Sequence, residues 1–150
     1  MKILKDSLVR AYIDIKIPFN DVDMMRVAWH GNYLKYIEDA RCALLDKIAY
    51  NYFEMEASGM MWPIVDTRLK YIKPARFGQV IRVHAGLVEY ENRLKLEYVI
   101  EDPLNGDILT KAYSIQVAVD ALTQEMQFCS PKKLIDSVSD YLVNKQSFTE

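Results

Sequence analysis

The sequence predicts an α+β fold in which one long helix covers one face of a single antiparallel sheet. Three observations lead there. Val9, Ala11, Ile13, Ile15 and Ile17 alternate with Arg10, Tyr12, Asp14 and Lys16, the two-residue period of a strand with one buried face. Tyr33, Tyr36, Ile37, Ala40, Leu44 and Ile48 recur at spacings of three and four, the period of a helix with one apolar stripe. After Gly59 four further strand-like runs follow, separated by turns short enough to join antiparallel neighbours. A helix placed between the first strand and the rest must lie across the sheet that they build. Apolar residues are abundant, so the remaining face or edge is expected to be covered by a second copy.

Each element has its own signals. Pro18 ends the first strand, and residues 19–31 form a polar junction. The helix is expected from Asn32, as N-cap, to Tyr50. Lys35–Asp39 and Glu38–Arg41 can pair along its surface, each pair worth only about a few tenths of a kcal/mol. Residues 51–60 read as this helix fraying into a loop that ends at Gly59. Strands then run from Met61 to Lys73 and from Val80 to Tyr90, with a turn at residues 74–78 between them. Leu94, Leu96, Tyr98 and Ile100 mark a third, and Leu109, Tyr113, Ile115, Val117 and Val119 a fourth, across a turn that carries Asn105-Gly106. Ser130 as N-cap and Pro131 at the first helical position open a short C-terminal helix over Leu134, Ile135 and Val138, and the tail after Asn144 reads as loose.

Composition narrows the function. With 150 residues, 51% of them hydrophobic, the chain fits a single domain over residues 1–150. A net charge of −2 gives no electrostatic footprint for nucleic acid. No apolar run approaches the roughly 18 residues that span a bilayer, and Met1 to Arg10 carries no apolar leader core, so no membrane partner is expected. Cys42 and Cys129 form no close pair and suit a cytoplasmic protein with reduced thiols. Ten tyrosines and five phenylalanines suit a β-rich or self-associating domain. His30 and His84 are far apart and the five glycines are scattered, so neither a zinc set nor a phosphate loop is present and no cofactor is expected. His84, in mid-strand, reads as structural or interfacial.

The chemistry concentrates in residues 20–33. Asp21, Asp23, His30, Asn32 and Tyr33 crowd a strand-to-helix junction that has little reason to be so polar unless it lines something. The run Asp21-Val22-Asp23, followed by Val27-Ala28-Trp29-His30-Gly31-Asn32-Tyr33-Leu34, resembles the opening signature of the hotdog-fold acyl-CoA thioesterases, the 4-hydroxybenzoyl-CoA thioesterase family and its acyl-CoA thioester hydrolase branch. Leu69-Lys70-Tyr71-Ile72-Lys73-Pro74-Ala75-Arg76-Phe77-Gly78-Gln79 is similar to the second signature, and Val119-Asp120-Ala121-Leu122-Thr123 to the exit before the last helix.

The resemblance implies an antiparallel hotdog sheet wrapped around the long helix, working as a homodimer or homotetramer with sites between subunits. It implies hydrolysis of an acyl thioester, carried by coenzyme A or by acyl carrier protein, with no cofactor because the thioester is already activated. Asp23 matches the catalytic carboxylate, as nucleophile or as general base on water. His30 matches the family histidine that places the thioester or the water. An N–H of His30 or Gly31 at the helix start would polarise the carbonyl. Asn32 serves as cap or site, and Asp21 as scaffold bonded to local backbone. Met24, Met25, Met60, Met61 and Trp62 line an acyl tunnel or are ordinary core or dimer contacts. Lys70, Lys73 and Arg76 are candidates for the phosphates of coenzyme A, or are simply solvated.

The chain departs from the family at Arg26, where the pattern has glycine. Arginine resists the backbone angles that glycine allows, so Arg26 points to an altered pocket, a bound anionic group or a different acyl donor. Two alternatives stay open on the same fold: a non-hydrolytic acyl binder, and a dehydratase acting on acyl carrier protein.

Overall fold

A computed structural model of the chain describes residues 3–148. In order come β1 (Val9–Lys16), a 3-10 turn (Phe19–Asp21), α1 (Asn32–Lys47), α2 (Tyr52–Ala57), β2 (Met60–Met61), β3 (Ile64–Tyr71), β4 (Val80–Glu89), β5 (Leu94–Glu101), β6 (Ile108–Gln116), β7 (Val119–Asp120) and α3 (Lys132–Phe148). Five strands form one antiparallel sheet in the order β1-β4-β5-β6-β3, and β2 pairs with β7 in a small ribbon.

The alternation in the sequence sets the two faces. Ile81, Val83, Ala85 and Leu87 of β4 and Leu94, Leu96, Tyr98 and Ile100 of β5 are buried on the inner face, where α1 packs against β1 and β4. The helix contributes Tyr33, Tyr36, Ile37, Ala40, Leu44 and Leu45 to that core, and Leu134 and Val138 of α3 close it. The outer face is polar. Arg82 makes a two-pronged ion pair with Asp14 at 2.8 and 3.0 Å and lies over the Tyr12 ring, while His84 Nε2 meets Glu101 at 2.7 Å. Gly86 lets residues 3–7 cross this face, since a β-carbon there would lie 2.1 Å from Ser7 Oγ.

Several expectations are corrected. α1 stops at Lys47, and Ala49 turns the chain with a left-handed φ of 58°. Residues 52–57 are a separate short helix rather than a frayed end, because Asn51 Oδ1 accepts the Glu54 N–H and caps it. The expected strands at 61–73 and 109–119 each divide, giving up the β2–β7 ribbon, with a bulge at Ile64/Asp66. Ser130 does not act as the expected cap; its hydroxyl donates to the Tyr90 carbonyl and its N–H to Glu91. α3 continues past Asn144 to Phe148. Arg41, expected on the surface, is buried; it keeps Glu38 at 3.2 Å and also donates to Tyr52 Oη.

Candidate active site

The polar junction folds in three pieces. The first anchors it. Asp21 is 5% exposed, its carboxylate accepting from Lys35 Nζ at 2.8 Å and from Tyr36 Oη at 2.7 Å. Burial pushes the Asp21 carboxyl up, but the Lys35 and Tyr36 hydrogen bonds and the Lys35 charge outweigh it and hold the group below its ordinary range. Burial, then the Asp21 carboxylate, push the Tyr36 phenol up. The Asp21 carbonyl accepts the Trp29 N–H at 2.9 Å and Asn32 Nδ2 at 2.7 Å, tying both ends of the junction together. Asp21 is scaffold, as expected, but its carboxylate grips α1 side chains rather than nearby backbone. Asn32 is not the N-cap; it is the first residue of α1, Gly31 holds the cap position, and no side chain caps the helix there.

The second piece is a tight hairpin over Asp23–Val27. Asp23 N–H donates to the Val27 carbonyl and Arg26 N–H to the Asp23 carbonyl, each at 3.0 Å, while Asp23 Oδ1 accepts the Met25 N–H at 2.8 Å. A three-residue turn of this kind closes on a left-handed residue, and Arg26 takes that place with φ of 63°. The backbone shape for which glycine suits the position is therefore kept, at a cost of about 1–2 kcal/mol for a residue with a β-carbon. Met24, Met25 and Arg26 are exposed, and Asp23 is half-buried beside them.

The third piece is the start of α1. Asn32 N–H donates to the Trp29 carbonyl at 2.9 Å and Tyr33 N–H to the His30 carbonyl at 3.3 Å. The N–H groups of His30 and Gly31 donate to no atom among the described residues. They lie at the positive end of the helix dipole, where an anion is favoured. Gly31 leaves room for the half-exposed Trp29 ring, which a β-carbon at 2.2 Å would displace.

The two sequence signatures meet here in space. Ala28 N–H donates to the Ala75 carbonyl at 2.7 Å, Val27 pairs with Arg76, and Phe77 N–H donates to the Arg26 carbonyl at 3.0 Å. Ala75 N–H in turn donates to Tyr33 Oη at 3.0 Å. Asp23, Met24, Arg26, His30, Gly31, Asn32 and Arg76 are thus brought onto one stretch of surface. Lys73 is held by Asp107 at 3.1 Å. Lys70 points away from α1, on the outer face opposite Lys111 and beside Arg68. Trp62 is core, with Nε1 donating to Tyr50 Oη, and takes no part in a tunnel.

Sequence reading passed over two contributors. One is the Lys35–Tyr36 grip on Asp21. The other is Tyr71, whose hydroxyl donates to the His30 carbonyl at 3.1 Å. Strand alternation already put Tyr71 on the helix side of β3, opposite to Lys70, but not its reach to the helix start.

Comparison with known proteins supports the family and the fold. The sequence profile of the thioesterase-like superfamily matches residues 17–139. YneP of Bacillus subtilis, named as a candidate acyl-CoA thioesterase, is 32% identical over 108 residues, 71% of this chain and 78% of that protein. The crystal structure of the hypothetical protein TT1821 from Thermus thermophilus superposes with a TM-score of 0.76 at 27% identity, over 87% of this chain and 98% of that one. Slr0204 from Synechocystis, a 1,4-dihydroxy-2-naphthoyl-CoA thioesterase, superposes with a TM-score of 0.78 at 16% identity, over 87% and 96% of the two chains. The hotdog architecture expected from the resemblance is the architecture found.

Proposed function

We propose that the chain, which belongs to the thioesterase-like superfamily, hydrolyses acyl-CoA thioesters, with Asp23 and the start of α1 carrying the reaction. One observation supports this most: the hairpin that presents Asp23 is clamped beside a helix start whose His30 and Gly31 N–H groups are unspent. Asp23 attacks the thioester carbonyl, or takes a proton from the water that does, and the free N–H groups hold the oxyanion as it forms. The carbon–sulfur bond then breaks and coenzyme A leaves, its sulfur taking a proton that derives from water; by the first route a water then hydrolyses the acyl–Asp23 anhydride, and by either route the carboxylic acid is released and the Asp23 carboxylate restored. His30 places the thioester or the water. Arg26 and Arg76, both exposed on the clamped loops, would meet the phosphates of the nucleotide.

We further propose a homodimer, or a tetramer of two such pairs, in the cytoplasm. The unpaired edge of β3 carries exposed Ile64 and Val65, Ile72 follows it, and Phe19, Met24, Met25, Trp29 and Phe77 stand in solvent around the loop. A second copy along this edge would cover them and complete an acyl pocket. Val65→Asp combined with Ile72→Asp is then expected to reduce the sedimenting mass to that of one chain and lower activity with it; an unchanged mass contradicts this arrangement.

The test of the reaction is a thiol-release screen over short, long and aromatic acyl-CoAs, with acyl carrier protein adducts as a separate arm. Wild-type protein should release thiol from at least one acyl-CoA. The absence of release from every donor, with acyl-CoA still bound, would instead favour the acyl binder.

A further inference from the structure

The peptide between His30 and Gly31 is held on one side only. It is trans, so its carbonyl and its N–H point in opposite directions. The carbonyl receives two hydrogen bonds, from Tyr71 Oη at 3.1 Å and from the Tyr33 N–H at 3.3 Å. The N–H donates to no atom among the described residues and faces away from both donors. Tyr71 is itself braced, its ring edge-on to Tyr33 at 5.1 Å and to His30 at 6.4 Å.

We propose that Tyr71 is a positioning residue for the reaction, its hydroxyl orienting and polarising the 30–31 peptide so that the Gly31 N–H meets the developing oxyanion. The inference rests on the thioesterase reading above. Two effects follow from the one bond. An anchored carbonyl removes the rotation that would turn the N–H away. A hydrogen bond to a carbonyl also strengthens the donor at the other end of the same amide, by roughly 10–30% per bond in a chain of such bonds. An oxyanion bond is made fully only in the transition state, so the loss falls on turnover rather than on binding.

The experiment compares wild-type protein with Tyr71→Phe and with Tyr71→3-fluorotyrosine, whose hydroxyl is the stronger donor. Tyr71→Phe should lower kcat about tenfold with KM within about twofold. The fluorinated variant should raise kcat, which a role in packing alone would not produce. The amide resonance of Gly31, read by nitrogen–proton correlation spectra, should move upfield in Tyr71→Phe as the donor weakens. Two results overturn the proposal: kcat unchanged within twofold in Tyr71→Phe, or an unmoved Gly31 resonance. The resonance needs no turnover. If wild-type protein releases no thiol, the thioesterase reading fails while the spectra still decide whether Tyr71 controls this peptide.

Discussion

The two ends of α1 are built in opposite ways. From Ile37 to Leu45 the helix lays apolar side chains on β1 and β4, and Leu44 is 0% exposed. At its N-terminus it meets a loop in which Met24 is 101% exposed, Trp29 stands half in solvent and two backbone N–H groups find no partner among the described residues. Burial of apolar surface explains the first region and fails for the second. A segment that exposes methionine and tryptophan, holds an arginine at positive φ and leaves donors free is not organised for the stability of this chain alone. On the function proposed above, it is organised for what comes to it, a substrate and a second copy.

That contrast can be broken or sharpened by substitution, and the largest effect is expected in the first region. Leu44→Ala should cost about 2–5 kcal/mol of unfolding free energy, read by denaturant titration, with kcat of the folded protein unchanged. A fall in kcat would mean that the two regions are not separate.

Asp21 lies between them, and Asp21→Asn should cost about 1–3 kcal/mol by leaving Lys35 without its partner. The pH dependence carries the finer test. The folded-state pKa of Asp21 lies below its ordinary value of 3.8, so its stabilising contribution is full above that value and is lost as pH falls toward the folded-state pKa. Wild-type stability should therefore drop more steeply below about pH 4 than that of Asp21→Asn; parallel curves contradict the role given to this carboxylate.

The smallest effect belongs to Arg26. Arg26→Gly should raise stability by about 0.5–1 kcal/mol, because the relief at positive φ exceeds the added freedom of the unfolded chain. Arg26→Ala, which keeps a β-carbon, should bring no such gain. A change in KM for acyl-CoA in both variants would assign the side chain to the substrate.

The regions also differ in how far the sequence discloses them. The stripe Tyr33–Ile48 and the alternation in β1, β4 and β5 announce the core, because burial imposes a period. The site is legible as a motif, Asp23 with His30-Gly31-Asn32, but its architecture is not. Nothing periodic says that Ala75 and Phe77 would clamp the hairpin, that Lys35 would leave Asp39 for Asp21, or that Tyr71 would reach the His30 carbonyl across 41 positions. Those bonds depend on where the sheet sets two distant loops. Arg41 misleads for the same reason, since the buried side chain meets Tyr52 on the next helix and Tyr98 on a distant strand.

The most direct measurement is thiol release by wild-type and Asp23→Asn protein on the same acyl-CoA, with thermal midpoint and sedimenting mass recorded on both. The account predicts a loss of at least about a hundredfold in kcat with stability changed by less than about 1 kcal/mol and an unaltered mass, since Asn can still accept the Met25 N–H but cannot attack a thioester or take a proton. Turnover retained within a few fold in a folded Asp23→Asn protein would contradict it.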